Sequence, residues 1–395
     1  MKKVLLATAA TLAATAAFAD GHSPVKIGIS LGFTGPLESM AVDMGAAAEF
    51  AVAEVNESGA LLDGVTVETV RADSTCIDAS AATAAVERLI TSDGVVGIVG
   101  GMCSGETGAT LQNVAMPNGI VMISPSATSP GLSTVEDNGL FFRTSPSDAR
   151  QGVVMAEALM DKGIEEVAVT YTNNDYGKGL ADSFQAAFEE RGGSVTINAA
   201  HEDDRADYSA EVGALGAAGG ELLVVAGYVD SGGSGIVRSA LDTGAFDTFY
   251  FPDGMIGNQL VENFGDEIDG SMGANPSPPE ELASRFGELS GDAFDSTGAF
   301  APEAYDAAAL LMLAMQAAGS TDPSVYKDEV LNVANGPGEE IQAGELARGL
   351  QILADGGEID YVGATGVNLI GPGEAAGNYR EVTFEGGAEQ MVGFR

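Results

Sequence analysis

The chain has 395 residues, more than one hydrophobic core usually holds, so two domains are expected. Its 58 acidic and 17 basic side chains give a net charge of −41, which repels nucleic acid and anionic lipid and rules against both as partners. Two cysteines and two histidines, far apart in the sequence, make a poor metal site, and neither a metal nor a cofactor is expected.

In chain order, Lys2 and Lys3 precede a mildly apolar stretch, Val4–Phe18, and Ala17-Phe18-Ala19 offers small residues to a signal peptidase. Residues 1–19 therefore read as a signal peptide with Asp20 opening the mature chain. The stretch is too short and too rich in Ala and Thr for a membrane anchor, which needs ~20 strongly apolar residues. An exported, soluble periplasmic protein with no direct membrane insertion is expected. In that oxidising compartment the lone pair Cys76 and Cys103 is most simply one disulfide.

Val25–Phe33 reads as a buried strand, Gly45–Glu57 as a helix ended at Gly59, and Val65–Ala72 as a second strand. Helix Asp78–Ser92, strand Gly94–Gly100, helix Gly105–Ala115 and strand Ile120–Ser124 follow. A second run starts near Arg143, with helix Gly152–Lys162, strand Glu166–Tyr171, helix Gly177–Arg191 and strand Ser194–Ala199. It continues through helix Tyr208–Ala217, strand Glu221–Ala226, helix Gly235–Thr243, strand Thr248–Pro252 and helix Gln259–Phe264. Helices Pro279–Leu289, Ala301–Ala318 and Gly344–Ala354 come next, and Tyr379–Phe384 with Gln390–Phe394 read as a hairpin turned at Glu385-Gly386-Gly387. This alternation predicts an α/β protein of two doubly wound parallel-sheet lobes.

Ligands of open parallel sheets bind beyond the C-terminal ends of the strands. In the first run those ends carry Gly101-Met102-Cys103-Ser104-Gly105 and Pro125-Ser126-Ala127-Thr128-Ser129-Pro130. In the second they carry Asn173–Gly177, Gly227-Tyr228-Val229-Asp230 and Asp253-Gly254-Met255. One lobe thus offers hydroxyls and free N–H groups suited to a carboxylate; the other offers tyrosines and a carboxylate suited to an ammonium. Singly, Ser104 reads as a helix cap, Ser126 and Thr128 as turn residues, and Asp253-Gly254 as an ordinary turn. Their shared position at strand ends of two facing units favours function.

In these blocks the chain resembles the branched-chain amino-acid-binding proteins of ABC importers, the type I periplasmic binding proteins. Val25–Pro36, Asp73–Cys76, Met102-Cys103-Ser104, Ile123–Pro130, Phe142-Arg143-Thr144, Asn174–Leu180 and Gly227-Tyr228 carry the resemblance in order. It implies lobes of residues 20–143 with 275–361 and 144–274 with 362–395, joined by a three-segment hinge near Arg143–Ser145, Gly273–Pro276 and Val362–Ala364. It also implies a monomer that captures an amino acid and delivers it to an ABC permease. By matching positions, Ser104 and Thr128 would hold the ligand carboxylate, and the Ser126 carbonyl, Thr128 hydroxyl and Asp253 the ammonium. Tyr176 and Tyr228 would line the pocket, with Ala127, Met102 and Met40 beside them. The chain departs from the leucine-type pattern at Asp253, where that pattern has Glu, and in the shorter loop Pro36–Gly45, which offers Ser39 and Met40 in place of Tyr. A sensory receptor of the same fold, or one binding urea, a short amide or a small carboxylate, is the alternative.

An enzyme reading rests on Gly28-Ile29-Ser30-Leu31-Gly32, a formal G-x-S-x-G. A nucleophile elbow needs a strand, a sharp turn and a helix, whereas Ser30 lies within an apolar run, with only His22 or His201 as base. Gly371-Pro372-Gly373 lacks the βαβ unit a dinucleotide fingerprint needs. A hydrolase or dehydrogenase is not expected.

Overall fold

The computed structural model describes residues 24–395; the expected leader and His22 lie outside them. The run VKIGISL, apolar but for Lys26 and Ser30, forms β1 (Val25–Leu31), buried from Ile27 onward as a central parallel strand must be. It lies between β2 (Val67–Asp73) and β3 (Gly97–Gly100), followed by β4 (Met122–Ser124) and β5 (Phe141–Arg143), all parallel in the order β2-β1-β3-β4-β5. The same order recurs in a second sheet, as β7-β6-β8-β9-β10, from β6 (Glu166–Thr172), β7 (Ser194–His201), β8 (Leu222–Ala226), β9 (Phe249–Phe251) and β10 (Met272–Pro276). A small parallel pair, β11 (Glu339–Gln342) and β12 (Ile359–Gly363), stands apart.

Late segments finish both sheets. β13 (Leu369–Ile370) and β14 (Glu374–Ala375) add to the first sheet, β14 pairing with Arg143 of β5. β15 (Tyr379–Glu385) and β16 (Ala388–Phe394) add antiparallel to β10 as the expected hairpin. Its two-residue turn, Gly386-Gly387, has both φ positive (62° and 71°), the conformation in which a turn follows the twist of its strands. Strand pairing puts two of the chain's passages between sheets later than the expected segments. Gly273–Pro276 lies within β10, so the second crossing follows Pro276. Leu369–Ala375 is still in the first sheet, so the third follows Ala375 rather than Val362–Ala364.

Helix Ala301–Ala318 is buried from Ala301 through Gln316, because its small and apolar residues leave no polar face. It packs along helix Glu38–Ser58 beneath the first sheet. That earlier helix starts at Glu38 rather than Gly45 and ends as expected at Gly59, whose φ of 60° only glycine adopts freely. Asp78 caps helix Ala79–Arg88 by accepting the Ser80 and Ala81 N–H groups at 2.9 and 3.0 Å. Ser30 is buried in mid-strand β1, so there is no elbow, and His201 Nδ1 pairs with Thr170 Oγ1 at 2.9 Å within the second sheet. No helix among the described residues is long and apolar enough to cross a membrane.

Candidate functional site

The two sheets point their C-terminal strand ends at one narrow cleft. From the first sheet it is lined by Leu37, Met40, Met102, Cys103, Ser104, Ser126 and Phe300; from the second by Tyr176, Tyr228, Asp253 and Gly254. The structure thus brings Met102, Ser104, Ser126, Tyr176, Tyr228 and Asp253 from the strand ends together with Met40 from the first turn of helix Glu38–Ser58. Ala127 and Thr128 sit just behind the wall, both buried. The Ala127 N–H is taken by Ser124 Oγ at 2.9 Å and its carbonyl by Arg143, while the Thr128 hydroxyl lies beside the Asp148 carboxyl.

Helix Ser104–Thr110 begins directly after the loop from β3, so its first N–H groups lack intrahelical partners and face the cleft end of the sheet. The preceding loop is bound tightly. Glu106 Oε1 accepts the Met102 N–H at 2.8 Å, the Cys103 N–H at 3.2 Å and the Ser74 hydroxyl at 3.2 Å. The Cys76–Cys103 disulfide ties the same loop to the end of β2 across a Cα–Cα distance of 5.1 Å. Ser104 Oγ accepts the Ser129 N–H at 3.0 Å, and Ser126 Oγ donates to the Met102 carbonyl at 2.8 Å. Buried Arg143 donates to the Ala127 and Ser129 carbonyls at 2.9 and 3.0 Å, to Ser133 Oγ at 2.7 Å and to Glu374. This one guanidinium therefore fixes the 125–130 loop and ties it to β14.

On the facing wall, the Tyr176 and Tyr228 rings stack at 5.3 Å with 10° between planes. Tyr176 Oη donates to Asp253 Oδ1 at 2.9 Å and accepts the Gly254 N–H at 3.1 Å; Asn174 Nδ2 donates to Tyr228 Oη at 3.1 Å. Residue 254 must be glycine, because a Cβ there would lie 2.6 Å from the Gly227 carbonyl and 2.7 Å from Tyr176 Oη. Burial raises both phenols well above their usual range, so they act as neutral hydroxyls. Burial also pushes the Asp253 carboxyl up to about 6, against the pull of its bond from Tyr176. No basic side chain pairs with this carboxyl among the described residues, so nothing offsets its desolvation by an opposite charge.

The lobes touch at the rim. Ser39 N and Oγ both donate to Asp230 Oδ2, at 3.0 and 2.7 Å, and Asp230 N donates to the Pro36 carbonyl at 3.1 Å. Sequence reasoning missed Leu37 and Phe300, whereas Cys103 and Gly254 fall inside the strand-end segments it singled out. The apolar ones carry no signal that separates a pocket wall from a core, although Phe300 adopts a left-handed φ of 62°, unusual for an aromatic residue.

Residues 24–333 match the family described as periplasmic binding protein. A Leu/Ile/Val-binding protein homolog of Brucella abortus is 31% identical over 332 residues, covering 82% of this chain and 86% of the relative. A leucine-, isoleucine-, valine-, threonine- and alanine-binding protein of Pseudomonas aeruginosa is 28% identical over 327 residues, covering 80% and 85%. Among solved structures, a leucine-binding protein of Thermotoga maritima superposes with a TM-score of 0.78 at 22% identity, over 94% of this chain and 98% of that one. A solute-binding protein of R. palustris in complex with benzoate superposes at 0.75 with 17% identity, over 94% and 96%. At these identities the two structures speak to the fold alone.

Proposed function

Since the chain belongs to the periplasmic binding protein family, non-enzymatic proteins that bind solutes for ABC transporters, we propose that it captures a small aliphatic amino acid in the interlobe cleft. The observation that carries this reading is Asp253, a buried carboxyl with no basic partner, set across the cleft from Ser104 and the helix start behind it. A carboxyl on one wall and a hydroxyl with backbone N–H groups on the other suit a zwitterion, its ammonium on Asp253 and its carboxylate on Ser104 with the backbone N–H groups. Leu37, Met40, Met102 and Phe300 supply apolar walls for a short side chain. The relatives' names, which include leucine, isoleucine, valine, threonine and alanine, agree with that class. Because Asp253 is one methylene shorter than the Glu of the leucine-type pattern, the ammonium would sit deeper toward the second lobe.

In this reading the lobes close on ligand by hinge motion about the three crossings, and the loaded form docks on an ABC permease after export to the periplasm. A cation-binding wall disfavours benzoate-like anions.

The test is a thermal-shift screen of ligand-stripped protein against the twenty amino acids, urea, short amides and small carboxylates. Ligand at a hundredfold over Kd should add about 2.7 kcal/mol of stability. A shift confined to aliphatic amino acids, weakened at least tenfold in affinity by Asp253→Ala, supports the reading. A shift only with carboxylates or amides, or unchanged affinity in Asp253→Ala, overturns it.

A further inference from the structure

Asp148 opens helix Asp148–Asp161 and is fully buried, its carboxyl set beside the Thr128 hydroxyl without a well-formed hydrogen bond to it. Its N–H is committed to the Thr128 carbonyl at 2.8 Å. One turn on, the Gln151 side chain lies beside Asp253, its Nε2 donating to the Ala274 carbonyl of β10 at 3.3 Å. The groups around Asp148 come from every element packed there: Asp253 beyond β9, Arg143 at the end of β5, Tyr176 and Tyr228 from the pocket wall, and Tyr379 from β15, with Arg150 behind Tyr379. Arg143 does not serve as its counter-ion. That guanidinium is spent on two carbonyls, Ser133 and the Glu374 carboxylate. Two buried carboxyls therefore share one junction with no uncommitted cation among the described residues.

Like charges so placed do not both ionise. We propose that Asp148 and Asp253 hold one proton between them in the empty protein, and that a ligand ammonium takes its place, so that capture releases a proton to solvent. Asp148 is then a specificity-determining residue: it supplies the charge that demands a cation and disfavours an anion. The first half concerns the empty protein alone; the second rests on the amino-acid reading above. Affinity for an ammonium-bearing ligand should rise with pH through neutrality, by about tenfold per pH unit where one whole proton is exchanged.

The experiment is a titration of aspartate side-chain carboxyls by 13C NMR in the ligand-stripped full chain, then calorimetry with L-leucine at neutral pH in buffers of different ionisation enthalpy. At neutral pH one carboxyl of the pair should be protonated and the other ionised. Asp253→Asn, which removes the like charge, should lower the titration of Asp148. L-Leucine should release up to one proton from the wild type and none from Asp148→Asn. Two ionised carboxyls in the wild type, or an Asp148 titration unmoved by Asp253→Asn, overturn the shared proton. L-Leucine binding without proton release overturns the exchange and leaves the amino-acid reading standing. Failure of every amino acid to bind overturns the exchange together with that reading, while the NMR titration still decides the shared proton.

Discussion

Tyr176 Oη lies 2.9 Å from Asp253 Oδ1 and completes its geometry by accepting the Gly254 N–H at 3.1 Å. One phenol thus fixes both the carboxyl that would meet the ligand and the turn that carries it. Tyr176→Phe keeps the ring stacked on Tyr228 but strands a buried acceptor and a buried N–H. Leaving such groups unpaired costs about 1–3 kcal/mol. The variant should unfold at lower temperature when empty, and Asp253 should titrate higher, since the lost bond favoured its ionised form. Calorimetric unfolding and amino-acid affinity, expected to fall about tenfold, check this together; an unchanged affinity would mean that the phenol only fills space.

Much of this arrangement was legible in the sequence, for a physical reason. Ile27–Leu31 and Leu222–Ala226 are buried on both faces and so are apolar nearly throughout, which makes central parallel strands conspicuous. The strand-end rule then locates Ser104, Tyr176, Tyr228 and Asp253, because polar residues after such strands stand out. Phe141–Arg143 was not legible: a three-residue strand has no period, and its place is set by its neighbour β4 and by the Gly373 carbonyl that accepts the Arg143 N–H. Met272–Pro276 was hidden by its own Gly and Pro, which read as a loop, although Pro276 ends the strand. Asp148 was missed because an acid after Ser147 is what any capped helix start shows; only burial reveals it as unusual.

Asp230 predicts the kinetics of release. It accepts two bonds from Ser39 across the cleft, at 3.0 and 2.7 Å, so its carboxylate helps hold the lobes together. The site is partly exposed, which discounts the bonds toward the low end of the range for charged groups. Asp230→Ala should therefore speed dissociation of whichever amino acid gives the largest thermal shift by about tenfold. Stopped-flow dissociation reads this directly. An unchanged off-rate would show that rim contacts do not limit opening.

The disulfide has a stability consequence separable from its place in the pocket wall. Cys76 and Cys103 close a loop with a sequence separation of 27. A cross-link of that span restricts the unfolded chain by about 3–4 kcal/mol. Cys76→Ala with Cys103→Ala should lower the denaturation midpoint accordingly. It should also weaken ligand binding, because Cys103 immediately precedes Ser104 and lines the cleft. Chemical denaturation of the double variant beside the reduced wild type checks both; equal midpoints in oxidised and reduced wild type would sink the idea.

Glu303 sets a pH dependence of opposite sense to that of an ion-paired acid. It sits in the first turn of helix Ala301–Ala318, 3% exposed, and burial pushes its carboxyl from 4.5 up to about 8, with Asp306 adding to the rise and Arg380 opposing it. The folded chain therefore keeps a proton that the unfolded chain gives up. This group's contribution is fully present below about 4.5 and is lost as pH rises toward about 8, by about 1.4 kcal/mol per pH unit inside that window. Glu303→Gln keeps the shape and removes the titration. The variant should match the wild type in mild acid and become progressively more stable than it as pH rises. The difference between the two stability curves isolates Glu303 from Glu106 and Asp306, whose carboxyls burial raises in the same direction, to about 7 and about 6. A flat difference across the window would mean that Glu303 is ionised in the folded protein and finds its compensation through Arg380.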